Sequence, residues 1–136
     1  MILVHGISNY KRRGWLIESI LISIKKLLGV AEEYTQFDLD IIMSINSALM
    51  SLNQLGIGPD TGFIITSTAE VWTDFIGDKK DIESVKSYIY LKSRLMFDPP
   101  SNSFLVDAIE RQIKELEWRI NIQAEKTTTL EGGAVI

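Results

Sequence analysis

Apolar residues recur at helical spacing in four stretches of this chain, and each stretch predicts a helix with one buried face. Over 15–28, Ile17, Ile20, Leu21, Ile24, Leu27 and Leu28 share a face, and Gly29 ends the run. Over 39–55, Ile41, Ile45, Ala48, Leu49, Leu52 and Leu55 do the same, with Asp38 placed as the N-cap and Gly56 as the stop. Over 79–97, Ile82, Val85, Ile89 and Met96 form the inner line, and Tyr88, Leu91 and Leu95 widen it to about half the circumference. A helix apolar over that width has neighbours on two sides, so this one is expected at the centre. Over 103–124, Leu105, Ile109, Gln112, Ile113, Leu116 and Ile120 stack on one face.

The connections are as informative. Between the second and third long helices, Pro59-Asp60 with Gly62 predicts a tight turn, and "FIIT" a short extended piece. Ser67-Thr68-Ala69-Glu70 has capping-box spacing, which predicts a short helix through Val71, Trp72 and Phe75. Between the third and fourth, "FDPPSNSF" is a sharp corner. Pro99 disfavours helix at Asp98, Pro100 repeats the block, and Ser101, Asn102 or Ser103 caps the next helix. The expected fold is all-α: a small four- to five-helix bundle with a long loop between its second and third helices. Residues 15–124 form the helical domain, 1–14 a mobile N-terminal extension and 125–136 a flexible C-terminal tail.

Composition narrows the chemistry. A chain of 136 residues with 46% hydrophobic content makes one domain with a modest core. There is no cysteine, which excludes disulfides, thiolate metal sites and Cys nucleophiles. His5 is the only histidine and lies at the N-terminal end, a poor place for a catalytic base or a multi-histidine metal site. The net charge of −4 is unevenly spread. Residues 1–30 hold Lys11, Arg12, Arg13, Lys25 and Lys26 against Glu18; the remainder holds nine basic and seventeen acidic side chains. An acidic body argues against broad nucleic-acid binding. Glu18, Lys25 and Lys26 interrupt the first apolar run, so it reads as an amphipathic helix rather than a leader or a membrane span.

No catalytic constellation emerges. Gly56, Gly58 and Gly62 do not have the spacing of a dinucleotide fingerprint or a P-loop. Asp38, Asp78 and Asp81 sit at helix starts, where the dipole favours negative charge. Asp107, Arg111, Glu115 and Arg119 alternate in sign every four residues, with Glu110 and Lys114 at the same spacing, as on a solvated helix. Serines and threonines have no base to activate them. The sharper signal is a second apolar line away from each core stripe. Trp15 and Ile22 form one, Met43 and Met50 another, and Trp118 and Ile122 a third, with Phe104 further down the same helix. Three helices with a second apolar spot point to a subunit that buries surface against neighbours.

The stretches "SIKKLLG", "FDLDIIMSINSALMSLNQLGIGP", "WTDFIGD", "SVKSYIYLKSRLMFDPPSN" and "IKELEWRINIQAE" together resemble the small head–tail connector proteins of long-tailed bacteriophages and prophages, also called adaptor, head-completion or DNA-packaging connector proteins. The resemblance covers roughly residues 18–125 and is most specific at Leu95-Met96-Phe97-Asp98-Pro99-Pro100 and Glu115-Leu116-Glu117-Trp118-Arg119-Ile120. It implies a virion protein of the neck between capsid and tail, present in the host cytoplasm during assembly. It implies a homo-oligomeric ring of about twelve copies, monomeric when alone, that sits on the portal protein. Such a ring extends the DNA channel, lets DNA pass without sequence-specific contact, and carries the stopper or tail-completion protein. It implies no catalytic residue, no metal, no cofactor and no membrane. The candidate subunit or portal interface is then Trp15, Ile22, Met43, Met50, Phe104, Trp118, Arg119 and Ile122, with Asp98, Pro99 and Pro100 as the structural corner. The alternative from another class is a small helical DNA-binding or regulatory module that uses the basic N-terminal arm.

Overall fold

Ser19 opens the first helix. Its side-chain oxygen accepts the Ile22 N–H at 3.3 Å, and its own backbone, at φ −59° and ψ 133°, is not helical. In the computed structural model, which describes residues 17–77 and 82–133 and side chains as far as Lys126, five helices occur in order: α1 (Ile20–Leu28), α2 (Asp38–Gln54), α3 (Trp72–Ile76), α4 (Ile82–Phe97) and α5 (Ser103–Gly133). Among the described residues there is no strand; Ser19 and Val71 form an isolated antiparallel bridge. The all-α expectation holds.

That bridge explains why α1 is shorter than its apolar period predicts. The Ile20 N–H donates to Glu70 O at 3.0 Å and the Trp72 N–H to Glu18 O at 3.4 Å. Backbone groups committed sideways cannot also begin a helix. Ile17, expected on the core face, is exposed as a result, and so is Leu27 in the last turn. The end of α1 is as expected. Gly29 adopts the left-handed conformation at φ 80°, and the Val30 N–H closes back onto Lys25 O at 2.9 Å.

The second helix differs at its start. Phe37 occupies the N-cap position without a side-chain cap, and Asp38 lies inside the first turn. Its carboxylate is taken by Lys25, whose Nζ sits 2.8 Å from Asp38 Oδ1. Lys25, by sequence one of the basic residues of the N-terminal stretch, is 1% exposed. Its ammonium also donates to Glu32 O at 3.0 Å and Tyr34 O at 2.7 Å. One buried cation thus ties the end of α1, the loop after it and the start of α2.

The inner face of α2 is as the period predicts: Ile41, Ile45, Ala48, Leu49 and Leu52 are buried and Leu55 packs against them. The loop turns where proline and glycine place it, with the Gly62 N–H on Pro59 O at 2.9 Å. Gly58, at φ +89°, lies so close to Phe75 that a Cβ would run into the ring. "FIIT" is extended, and a side chain supplies its partner: Asn46 accepts from the Ile65 N–H at 2.8 Å and donates to Ile65 O at 2.9 Å. The short helix exists but starts at Trp72. Glu70 folds back to accept from the Thr66 and Ser67 N–H groups, each at 3.1 Å, while Asp74 accepts the Val71 N–H at 3.0 Å. Two acidic residues thus satisfy successive turns where one capping box was expected. Trp72 is fully buried and donates its indole N–H to Ser23 Oγ at 3.0 Å.

As expected, α4 is the central helix, packing on α1, α2 and α5. The starting residues 79–81 of its predicted span, and the Asp78 and Asp81 helix starts, lie outside the described residues. Met96, expected inside, is exposed because the last turn brings Phe97 inward, edge-on to Phe37 at 5.5 Å. Ser93 is fully buried on this helix with no hydrogen-bond partner for its hydroxyl. An unsatisfied buried hydroxyl costs about 1–3 kcal/mol, and alanine is the better helix former. Ser93→Ala therefore raises stability by about 1 kcal/mol, read as a rise of several degrees in Tm; a fall would show that the hydroxyl has a partner in solution.

Tyr88, also fully buried, donates to Glu117 Oε1 at 3.1 Å and so links α4 to α5. Burial is the main cause that pushes its phenol up to about 12, and the facing Glu117 adds to it against a hydrogen bond from Ser51. A folded pKa above the unfolded one gives stability that is complete below about pH 10 and is lost as pH rises toward 12. Alkaline titration of tyrosinate absorbance shows a late-ionising component in the native protein that is lost in Tyr88→Phe. Ionisation of every tyrosine near the free value would contradict the buried contact.

The corner after α4 is built as the sequence predicts. The Asp98 N–H closes the helix on Arg94 O at 3.0 Å, Pro99 and Pro100 block continuation, and Asn102 Oδ1 caps α5 by accepting from the Phe104 N–H at 2.8 Å. On α5, Ile113 and Ile120 are buried and Ile109 and Leu116 pack against the core, whereas Leu105 and Gln112 are exposed. The helix continues nine residues past the expected end at 124, to Gly133. No proline or glycine interrupts 125–131.

Candidate functional site

Each long helix turns one stripe to the core, and what remains outside is unusually apolar on two of them. On α2, Met43 is 70% and Met50 63% exposed, as expected from their place opposite the core line. The structure adds Leu39, 75% exposed, on the same side of the helix; its spacing of four from Met43 was a signal available in the sequence. It also adds Ile64. In extended backbone successive side chains alternate, so burial of Ile65 turns Ile64 outward. Met50, Gln54, Thr61, Phe63 and Ile64 then line a groove of about 390 Å³. Asp60 is the sole charged residue between Ile41 and Ala69.

On α5 the outer face carries Phe104 and Trp118, both largely exposed, beside Arg119. Arg119 is neutralised by Glu115 at 2.7 Å, the one pair of the predicted alternating charges that the structure closes. Ile122, expected on this face, is half-buried. Ile22 is likewise half-buried, because α1 packs against both α2 and α4 and keeps little open circumference. Trp15 lies outside the described residues. The structure therefore groups Leu39, Met43, Met50 and Ile64 on the outer side of α2, and places Phe104 and Trp118 about four turns apart on the outer side of α5.

At the Asp98-Pro99-Pro100 corner, the rings of Tyr34 and Phe37 meet at a tilt with centroids 5.6 Å apart and Phe37 meets Phe97 edge-on, so the joint is held to the loop between α1 and α2. Among the described residues no group of three or more acidic or histidine side chains gathers as a metal site, and no helix is long and apolar enough to cross a membrane. Of the basic residues that the sequence placed in the N-terminal stretch, Lys11, Arg12 and Arg13 lie outside the described residues. Lys25 is buried, and Lys26 is paired with Glu18 at 3.2 Å.

A family model described as phage connector protein matches residues 20–127, most of the chain, from the start of α1 into α5. The chain belongs to the phage connector family. No curated protein and no solved structure matches it. Membership makes this connector a structural component of a phage particle that contacts capsid or tail parts. Its exposed side chains suit that role: among the described residues, twelve large apolar side chains lie outside a core of eighteen hydrophobics. That is more than scattered exposure on a lone domain requires.

Proposed function

We propose that this connector assembles as a ring on the portal protein, extends the DNA channel, and offers the platform on which the stopper or tail-completion protein attaches. The observation that carries the reading is the pair of apolar surfaces on α2 and α5 in a member of the phage connector family. The corner at Asp98-Pro99-Pro100 serves the same end. Two prolines and the Asn102 cap fix the angle at which α5 leaves the central helix, and repeating subunits need that angle constant. The excess of acidic over basic residues suits a channel that passes DNA without gripping it.

A phage in which the gene is interrupted tests the proposal. The expected outcome is DNA-filled heads and free tails that do not join, restored by supplying the protein in trans. Normal joined particles in its absence would refute it. Filter binding addresses the regulatory alternative: tight, steeply salt-dependent duplex binding by the isolated protein would favour that reading.

A further inference from the structure

We infer that segment 1–16 of this chain folds back beside α1 and covers the end of the bundle at the Asp98-Pro99-Pro100 corner, its basic run meeting the acidic residues there. The contact lies within one copy and does not depend on the proposed ring. At that end, apolar exposure and acidic charge coincide. Two stretches build it: 27–40, from the end of α1 into α2, and 95–110, from the end of α4 into α5. The Phe37–Phe97 contact joins them. Seven of the twelve exposed large apolar side chains fall in these stretches, Tyr34, Phe37, Met96 and Phe104 among them. The same stretches hold seven acidic residues and no basic one, with Arg94 and Arg111 just outside.

Little nearby offsets those carboxylates. Among the described residues, Asp38 is the one of the seven with a cationic partner, the buried Lys25, and Lys26 is paired with Glu18. Glu32, Glu33, Asp40, Asp98 and Asp107 are exposed. A cover for this end must therefore be both apolar and basic, which excludes a phosphate backbone or an anionic lipid surface. Segment 1–16 has that chemistry. Ile2, Leu3 and Val4 are apolar, and Lys11-Arg12-Arg13 is the only run of three basic residues in the chain. Its reach fits as well. Lys11 to Arg13 lie four to six residues before Ile17, up to about 13–20 Å of extended chain, and the nine-residue α1 is about 13 Å long. Run back beside α1, the basic residues come level with Glu32 and Glu33, which follow the helix and are held to it through Lys25. Residues 1–4 then lie over the aromatic rings. Tethering keeps the segment at an effective concentration of roughly millimolar, an advantage that a separate basic chain lacks.

The absence of cysteine makes the test clean, because Ser8→Cys carries a single nitroxide spin label. Amide signals of the whole isotope-labelled chain are compared with the nitroxide oxidised and reduced. The expected result is strong broadening at Tyr34, Phe37 and Phe104, and little at Asp60 and Gly62, in the turn that Asn53 holds at the other end of α2. Spin-labelled chain without the isotope, mixed with isotope-labelled chain without the nitroxide, gives no broadening, because the contact lies within one copy. Arg12→Glu together with Arg13→Glu restores most of the lost intensity, while the signals of Ile45 and Leu49 in the core stay in place. No broadening at the corner, equal broadening at both ends, or broadening that survives the charge reversal overturns the inference. Broadening in the mixed sample alone overturns it too, and assigns the surface to the segment of a second copy.

Discussion

Replacing Lys25 with alanine lowers stability by about 3 kcal/mol, a drop of roughly 10 °C in Tm for a domain of this size. The side chain is 1% exposed, and its ammonium serves Asp38, Glu32 O and Tyr34 O together. Breaking a buried ion pair from one side costs about 3–5 kcal/mol. The lower end applies because Asp38 keeps 22% exposure and regains water when its partner is lost. Lys25→Met separates two contributions: it retains the apolar stem and removes only the charge, so it recovers part of the loss. A double-mutant cycle with Asp38→Asn reads the coupling between the two residues. Denaturant unfolding of the four proteins checks this, and a Lys25→Ala variant as stable as the parent would show that the pair does not form.

Trp118→Ala has the opposite profile. The indole is 65% exposed and lies outside the core cluster, so the isolated protein keeps its stability within about 0.5 kcal/mol. Assembly of the proposed ring, by contrast, loses an aromatic anchor. Such anchors are worth about 2 kcal/mol or more, which is a fall of at least about 30-fold in association. Quantifying the chain in purified particles, next to a thermal melt of the free protein, separates the two effects. Normal incorporation, or a large fall in Tm, would remove Trp118 from the interface.

Those two residues mark where the sequence was and was not legible. Helices with a continuous apolar stripe were readable because burial alone dictates the period: α2 and the middle of α5 lie where Ile41–Leu52 and Ile109–Ile120 place them. The corner was readable because two prolines permit no other outcome. Boundaries set by partners distant in sequence were not. The start of α1 depends on Val71, fifty-two residues downstream of Ser19, and no local pattern announces that bridge. Lys25 looked like one more surface cation because its three partners come from a loop and the next helix. Asp38 looked like a cap for the same reason. For the surfaces, Met43, Met50 and Trp118 followed from the helical period. Ile64 required knowing that Asn46 holds Ile65 inward.

Electron microscopy of this connector mixed with the portal protein of its own phage tests the central claim most directly. A ring of added density seated on the portal and continuing its channel is the predicted result. Portals that stay bare while the protein remains monomeric at saturating concentration would contradict it.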